Sequence, residues 1–156
     1  MSKSNFNNRS MYYALLEANK ALQKQEVPVG CVISSRNTGT IVSMSHNLVQ
    51  SNNNPNLHAE IIAINSACET LGTKELSGYD IYITLEPCTM CASAISNARL
   101  GRLYYGASDA KQGAVENGVK FYNSDACFHK PEIYHGIGAM ESEKLMKKFF
   151  SGLRKK

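Results

Sequence analysis

The chain has 156 residues, of which 43% are hydrophobic and 19% are charged, and its formal net charge is +4. This balance is that of an ordinary globular protein, so it argues against a disordered chain. The mild positive charge permits a polyanionic partner without requiring one, and the length predicts a single domain over residues 1–156.

The sequence contains no apolar run long enough to span a membrane, and residues 1–6 lack the apolar core of a secretory signal. The five cysteines are an odd number, so they cannot all pair within the chain. These features predict a cytoplasmic protein with no membrane partner. In that compartment a Cys-x-x-Cys pair indicates metal or redox chemistry rather than a disulfide scaffold.

The first elements in chain order are a helix and a hairpin. Apolar residues at helical spacing follow Ser10, a candidate N-cap, and the helix is predicted to end near Gln25, ahead of Pro28. Two short runs, 29–34 and 40–46, are rich in strand-forming residues and are joined by a polar turn that contains glycine. Their spacing predicts an antiparallel hairpin.

The middle of the chain predicts a helix and then a strand–helix–strand unit. An Asn-rich loop, 47–56, leads to a mostly apolar helix opened by His58, of the kind that packs on a sheet. A continuous apolar strand at Tyr79–Leu85, a helix at Thr89–Asn97 and a strand at 103–107 then follow with short joints. Such a βαβ unit makes its two strands parallel.

Beyond Ser108 the chain is irregular, until a short strand at 132–134 and a last helix from about 140 to 153. Together with the hairpin and the βαβ unit, these elements predict an α/β fold. We expect a three-layer α/β/α sandwich on a mixed five-stranded sheet.

Two short motifs carry the chemistry of the sequence. His58 and Glu60 lie at the start of one predicted helix, and Cys88 and Cys91 lie at the start of the next. An imidazole and two thiolates are zinc ligands, and a catalytic zinc site stops at three protein ligands, whereas a structural one takes four. The motifs therefore favour catalytic zinc, although a Cys-x-x-Cys pair alone also fits a redox pair or half of a structural site.

The two helix starts are predicted to meet at the edge where the parallel strands end, which is where open α/β sheets bind ligands. Unpaired N–H groups at a helix start favour thiolates. Zinc held there would lower the pKa of a bound water to about 7 and so provide hydroxide at neutral pH. Glu60, near the metal without being an obvious ligand, is the candidate proton shuttle; by itself it would be an ordinary helix-start carboxylate.

The remaining histidines and cysteines lack partners at ligand spacing. We expect surface or hydrogen-bonding roles for His46, His129 and His135, and packing roles for Cys31, Cys68 and Cys127. Residues 144–156 contain six basic residues and no acidic one, which fits either a solvated helix face or a face that contacts phosphates.

The motif His58-Ala59-Glu60, followed by Pro87-Cys88-Thr89-Met90-Cys91, resembles the signature of the zinc-dependent cytidine and deoxycytidylate deaminase superfamily, in which this ligand set is well known. Further stretches extend the resemblance to its branch of bacterial tRNA-specific adenosine deaminases over nearly the full length. These stretches are residues 26–30, 46–47, 84–91, 105–111 and 149–150.

The resemblance implies a cytidine deaminase-like fold and a reaction. One Zn²⁺ per subunit would be held by His58, Cys88 and Cys91, and Glu60 would shuttle protons. Contacts to the substrate would come from Asn47, Ala59, Asp109, Lys111 and Phe149. The implied reaction is hydrolytic deamination of the wobble adenosine of a tRNA to inosine with release of ammonia, on the anticodon stem-loop and by a homodimer.

Two other functions remain open at this stage. The same four chemical residues would serve the deamination of a free nucleobase or nucleoside, such as cytosine, guanine or a cytidine. A non-catalytic, zinc-stapled RNA-binding module is also possible, and it predicts a fourth protein ligand from the unassigned His or Cys residues.

Overall fold

The computed structural model describes residues 3–154 and is built around a mixed five-stranded sheet. The elements in chain order are α1 (Lys3–Gln23), β1 (Gly30–Ser35), β2 (Ile41–His46), α2 (Ala59–Leu71), β3 (Tyr79–Leu85), α3 (Thr89–Asn97), β4 (Arg102–Ala107), a 3₁₀ turn (Phe121–Asn123), β5 (Glu132–His135) and α4 (Ala139–Arg154). Strands are ordered β2-β1-β3-β4-β5. β1 is antiparallel to β2 and β3, whereas β3, β4 and β5 are parallel. The predicted hairpin, βαβ unit and mixed sheet are confirmed.

The helices cover both faces of the sheet. α2 and α3 pack on one face over the larger apolar cluster, and α1 and α4 pack on the other. The predicted three-layer arrangement is therefore confirmed. None of the helices between residues 3 and 154 combines the length and the apolar character that a membrane crossing requires.

The predicted start of α1 at Ser10 is wrong, because the chain is already helical at Lys3. Ser10 lies inside the helix and is fully buried, with its Oγ atom 3.2 Å from Ser34 Oγ in β1. The hydroxyl therefore bonds to the sheet, and a residue type that favours helix starts is satisfied here by a tertiary contact. Of the other predicted elements, the strand Tyr79–Leu85 and the helix Thr89–Asn97 match the structure, and the remaining predicted boundaries differ from it by at most two residues.

On the α1 side, the sheet carries side chains in rows across the strands. Tyr82, Tyr104 and Tyr134 are register neighbours, and their stacked rings have centroids 4.5 and 4.9 Å apart. Closer to the ends of the parallel strands, Gly30 lies directly under α1, and a Cβ atom there would overlap the carbonyl oxygen of Ala14. The missing side chain lets the helix contact the strand backbone.

On the other side, two serine hydroxyls of β2 fix the position of α2. Ser45 donates to the carbonyl of Ala59, and Ser43 donates to the carbonyl of Ala63 at 2.9 Å. Both hydroxyls are buried, so each bond forms away from water. The first turn of α2, which follows His58, is thereby held against the end of β2.

Candidate active site

Three ligand-type side chains converge where α2 and α3 begin. The Nδ1 atom of His58 lies 3.6 Å from Cys88 Sγ and 3.5 Å from Cys91 Sγ. His58 is the N-cap residue of α2 and Cys88 is that of α3, yet neither side chain caps its own helix. Both are therefore available to each other, as the sequence motifs predict.

The three atoms fit a zinc ion. They lie within 4.8 Å of one another, and no other group of three His, Cys, Asp or Glu side chains in the described part of the chain is so arranged. Zn–N and Zn–S bonds of about 2.05 and 2.3 Å at a tetrahedral angle place the two ligand atoms about 3.6 Å apart. The observed nitrogen–sulfur distances match this value, and with three protein ligands one tetrahedral position is left for another molecule.

The surroundings of the cluster favour a thiolate. The hydrogen bond from Cys91 is the largest influence on Cys88, and it combines with that of His58 to lower the pKa of Cys88 to about 4 against the effect of burial. The same contact with Cys88, together with burial and the nearby Glu60, raises the pKa of Cys91. The hydrogen bond with Cys88 raises the pKa of His58. One thiolate therefore forms readily, and a bound cation would favour the second.

Glu60 lies in the first turn of α2, beside the cluster, and is 4% exposed. Burial raises the pKa of its carboxyl group, and the neighbouring Cys88 raises it further, whereas its own backbone N–H, His58 and Cys91 act in the opposite direction. A carboxyl group with a raised pKa holds and releases a proton closer to neutral pH than a solvated one does. General acid–base catalysis is most efficient when the pKa of the group lies near the operating pH.

A cavity of about 750 Å³ opens in front of the cluster. This volume is within the range of roughly 300–1,000 Å³ that is typical of small-molecule pockets. Eight of the nine side chains selected from the sequence line its walls: Asn47, His58, Ala59, Glu60, Cys88, Asp109, Lys111 and Phe149. The ninth, Cys91, is fully buried against His58 and is not part of the cavity wall.

A buried carboxylate that the sequence analysis missed holds the loop before α2. Glu26 is fully buried, and its oxygens accept hydrogen bonds from the N–H of Gln50 at 2.9 Å and from the N–H and hydroxyl of Ser51, both at 2.6 Å. Burial raises the pKa of Glu26, but these hydrogen bonds outweigh it and leave the pKa below its ordinary value. These hydrogen bonds tie residues 47–57, called the 47–57 loop below, to the segment that follows α1.

In the sequence, Glu26 and Glu86 belong to the stretches 26–30 and 84–91 that carry the family resemblance, and neither residue has a predicted role of its own. Glu86 lines the same cavity and follows β3. The available signal was the same in both cases: a single acidic residue beside a buried strand, where an ionised side chain is stable only with hydrogen-bonding partners.

Helix α4 forms the outer wall of the cavity. Phe149 and Phe150 both line it and pack edge to face, with ring centroids 5.2 Å apart. Neither ring belongs to the two core clusters. Lys147 and Arg154 line the same wall. The last two lysines of the predicted basic segment, residues 155 and 156, lie outside the described residues.

The remaining histidines and cysteines have structural contacts, as predicted. His46 Nδ1 lies 2.8 Å from a carboxylate oxygen of Glu17, and His129 Nε2 lies 2.9 Å from the carbonyl oxygen of Leu100. Cysteines in the core or packed against it are Cys31, Cys68 and Cys127. Within residues 3–154, none of these side chains joins the metal cluster as a fourth ligand.

Known proteins resemble this chain over most of its length. Residues 4–107 match the family model of the cytidine and deoxycytidylate deaminase zinc-binding region. A tRNA-specific adenosine deaminase of Rickettsia typhi is 57% identical over 144 residues, which are 92% of this chain and 97% of the relative. A tRNA-specific adenosine deaminase of Agrobacterium fabrum is 48% identical over 140 residues, which are 90% of this chain and 91% of the relative.

One solved structure, from a study of A-to-I editing by tRNA:A34 deaminases at the wobble position of transfer RNA, is similar to this chain with a TM-score of 0.85. It is 47% identical, and the match covers 88% of this chain and 98% of the other. The similarity thus extends well beyond the zinc-binding region.

Proposed function

The chain belongs to the cytidine and deoxycytidylate deaminase zinc-binding family, and we propose that it is a tRNA-specific adenosine deaminase. The proposed reaction is hydrolytic deamination of the wobble adenosine of a tRNA, which consumes water and yields inosine and ammonia. The observation that carries it is the cluster of His58, Cys88 and Cys91 beside the buried carboxyl group of Glu60, at a cavity of about 750 Å³.

We assign His58, Cys88 and Cys91 to the binding of one zinc ion per subunit. Zinc at this position would supply a Lewis acid that lowers the pKa of a bound water to about 7. Three protein ligands are the number found in catalytic zinc sites. Since the described residues offer no fourth ligand at the cluster, they support catalysis over a zinc-stapled, non-catalytic RNA-binding module.

Glu60 is the proposed carrier of protons. In the reaction the water oxygen bonds to C6 of adenine and the bond from C6 to the amino nitrogen breaks, so protons must leave the water and reach the ring and then the amino group. The ionised carboxylate of Glu60 accepts a proton from the water. The raised pKa of Glu60 lets it pass this proton to the ring nitrogen N1, and then carry the proton of the new C6 hydroxyl to the amino group, which leaves as ammonia.

The remaining assignments concern the substrate. We propose that Asn47 and Ala59, both buried in the cavity wall, orient the base, and that Asp109, Lys111 and Phe149 contact RNA around the extruded nucleotide. Extrusion from an anticodon loop costs less free energy than extrusion from a duplex, because the loop base is not paired. The cavity of about 750 Å³ has room for a nucleoside, and we propose that the rest of the stem-loop is bound at its rim.

We also propose that residues 1–156 act as one unit, in the bacterial cytoplasm where tRNA is modified, and as a homodimer with no membrane partner. The support for the dimer is the family resemblance. Light scattering on the purified protein should then give twice the chain mass of 17.2 kDa.

The function is tested with the zinc-loaded protein and an anticodon stem-loop that carries a wobble adenosine. We expect inosine at that position and one ammonia for each inosine. A stem-loop with wobble guanosine is the matched control. Ammonia from free guanine, cytosine or cytidine, without inosine in the stem-loop, would assign the free-base reaction instead. Zinc binding with no deamination of either substrate would contradict both enzyme functions.

A further inference from the structure

A second buried carboxylate, that of Glu86, organises the loop on the other side of the cavity. Glu86 is 2% exposed, and its Oε1 atom accepts hydrogen bonds from the N–H of Asp109 at 2.9 Å, the side-chain amide of Asn117 at 2.7 Å and the hydroxyl of Ser108 at 3.4 Å. Its Oε2 atom accepts the three consecutive N–H groups of residues 115–117, at 3.0, 3.0 and 3.1 Å. Residues 108–117, the 108–117 loop, are therefore folded around one carboxylate.

The geometry is that of an anion-binding nest filled by the chain's own side chain. Burial raises the pKa of Glu86, but the hydrogen bonds from Asp109, Asn117 and Val115 outweigh it and leave the pKa below its ordinary value. Gly113 closes the nest, since a Cβ atom at that position would overlap the carboxylate. The charge of Glu86 thus has a full set of partners inside the protein.

The 108–117 loop carries two of the proposed RNA contacts. Asp109 Oδ1 accepts the N–H groups of Lys111 and Gln112, both at 3.1 Å, which turns the chain and leaves Lys111 exposed at the cavity mouth. The N–H of Ala114 donates to the carbonyl of Pro87 at 2.9 Å, next to the ligand Cys88. The loop is therefore joined at several points to residues 86–91, which contain Cys88 and Cys91 and are called the metal-binding turn below.

We propose that Glu86 is a positioning residue that holds the 108–117 loop in its RNA-binding conformation before the tRNA arrives, and so couples the metal-binding turn to RNA recognition. The inference rests on the proposed function. Glu86 acts through the loop rather than on the reacting atoms, because both of its oxygens already accept hydrogen bonds from that loop. A loop ordered in advance lowers the free-energy cost of binding, so Glu86 should affect KM rather than kcat.

Glu86→Gln tests this proposal, because glutamine has nearly the same shape as glutamate. In either orientation of the new amide, its NH₂ group replaces one of the two acceptor oxygens and faces N–H groups to which it cannot bond. We expect KM for the stem-loop to rise about tenfold or more, given the free energy of two or more lost hydrogen bonds. The kcat value and the zinc content should remain those of the wild type. Amide hydrogen exchange of residues 109–117 should accelerate in the free protein.

The matched control is Glu116→Gln, which removes one negative charge from the same loop. Among residues 3–154, the Glu116 side chain accepts a hydrogen bond only from the hydroxyl of Tyr105, while its backbone N–H keeps the bond to Glu86. This variant should leave both KM and exchange near wild type. If Glu86→Gln does not fold, Asn117→Ala, which removes one side-chain bond to Glu86 and one to Ser108, should give smaller changes of the same kind.

A lower kcat with unchanged KM, or lost zinc with unchanged loop exchange, would overturn the proposal, because the effect would then lie at the metal-binding turn. Unchanged KM together with unchanged exchange would also overturn it. Exchange is measured without substrate. If the wild type forms no inosine, the proposed function fails, and the exchange result still decides whether Glu86 orders the loop.

Discussion

The bottom and the rim of the cavity are built in different ways. At the bottom, pairs of residues two or three positions apart at two helix starts supply the proposed metal ligands and Glu60, and of these Cys91 and Glu60 are buried. At the rim, each loop is folded around one buried carboxylate, through hydrogen bonds that span 24 residues for Glu26 and Gln50 and 29 residues for Glu86 and Val115. The chemistry thus depends on local spacing, whereas recognition depends on tertiary contacts.

This difference predicts that changes at the bottom act on kcat and on metal content, whereas changes at the rim act on stability and KM. The largest effect should come from Glu60→Gln. We expect kcat to fall by about 10²- to 10⁴-fold, the usual contribution of a general acid–base group, with zinc retained. Single-turnover inosine formation measures the change. Glu69→Gln, an exposed site on the same helix, is the control. A loss of less than tenfold would remove Glu60 from the proposed mechanism.

Cys91→Ser should separate metal binding from folding. A hydroxyl group is a much weaker zinc ligand than a thiolate, so we expect zinc content after dialysis to fall at least about tenfold, and activity to fall with it. Elemental analysis measures the metal in each subunit. The comparison variant is Cys68→Ser, which changes a cysteine outside the cluster. Stoichiometric zinc in Cys91→Ser would show that the ligand set is different.

Glu26→Gln should affect the rim alone. At neutral pH we expect the free energy of unfolding to fall by about 1–3 kcal/mol, because buried N–H donors lose a charged acceptor. Folding lowers the pKa of Glu26, so its stabilisation is present above the unfolded-state pKa of about 4.3 and is lost as the pH falls through the folded-state value.

Chemical denaturation at neutral pH and near pH 4 measures the free energy of unfolding of the wild type and of Glu26→Gln. The difference between the two free energies should be smaller at the lower pH. Glu75→Gln, at an exposed position, should change stability little at either pH. A difference that grows on acidification would mean that Glu26 is protonated in the folded protein.

The smallest effect should come from Lys147→Ala at the outer wall. One lost phosphate contact should raise KM for the stem-loop a few-fold and reduce the slope of log affinity against log salt by about 1, without a change in kcat. Fluorescence anisotropy across a salt series measures the slope. Lys74→Ala, outside this cavity, is the control. An unchanged slope would place the RNA away from this wall.

The same difference explains what the sequence could predict. The metal cluster, Glu60 and the βαβ unit follow from motifs and periodicities only a few residues long, and the structure brings these residues together as expected. The start of α1 was wrong because Ser10 has its partner on a distant strand. Glu26 and Glu86 were missed for a related reason: their partners are mainly backbone N–H groups of remote loops, which no side-chain pattern marks.

The nest around Glu86 has a consequence for redesign. Asp109, Val115 and Glu116 each reach the carboxylate through a backbone N–H group, and every residue except proline has one. The side chains at positions 110–112 make none of the hydrogen bonds to Glu86, so they can be randomised while its backbone bonds remain. The side chains at these three positions can therefore be exchanged without removing the hydrogen bonds to Glu86. A library there could select for other RNA loops while the metal centre is left as it is.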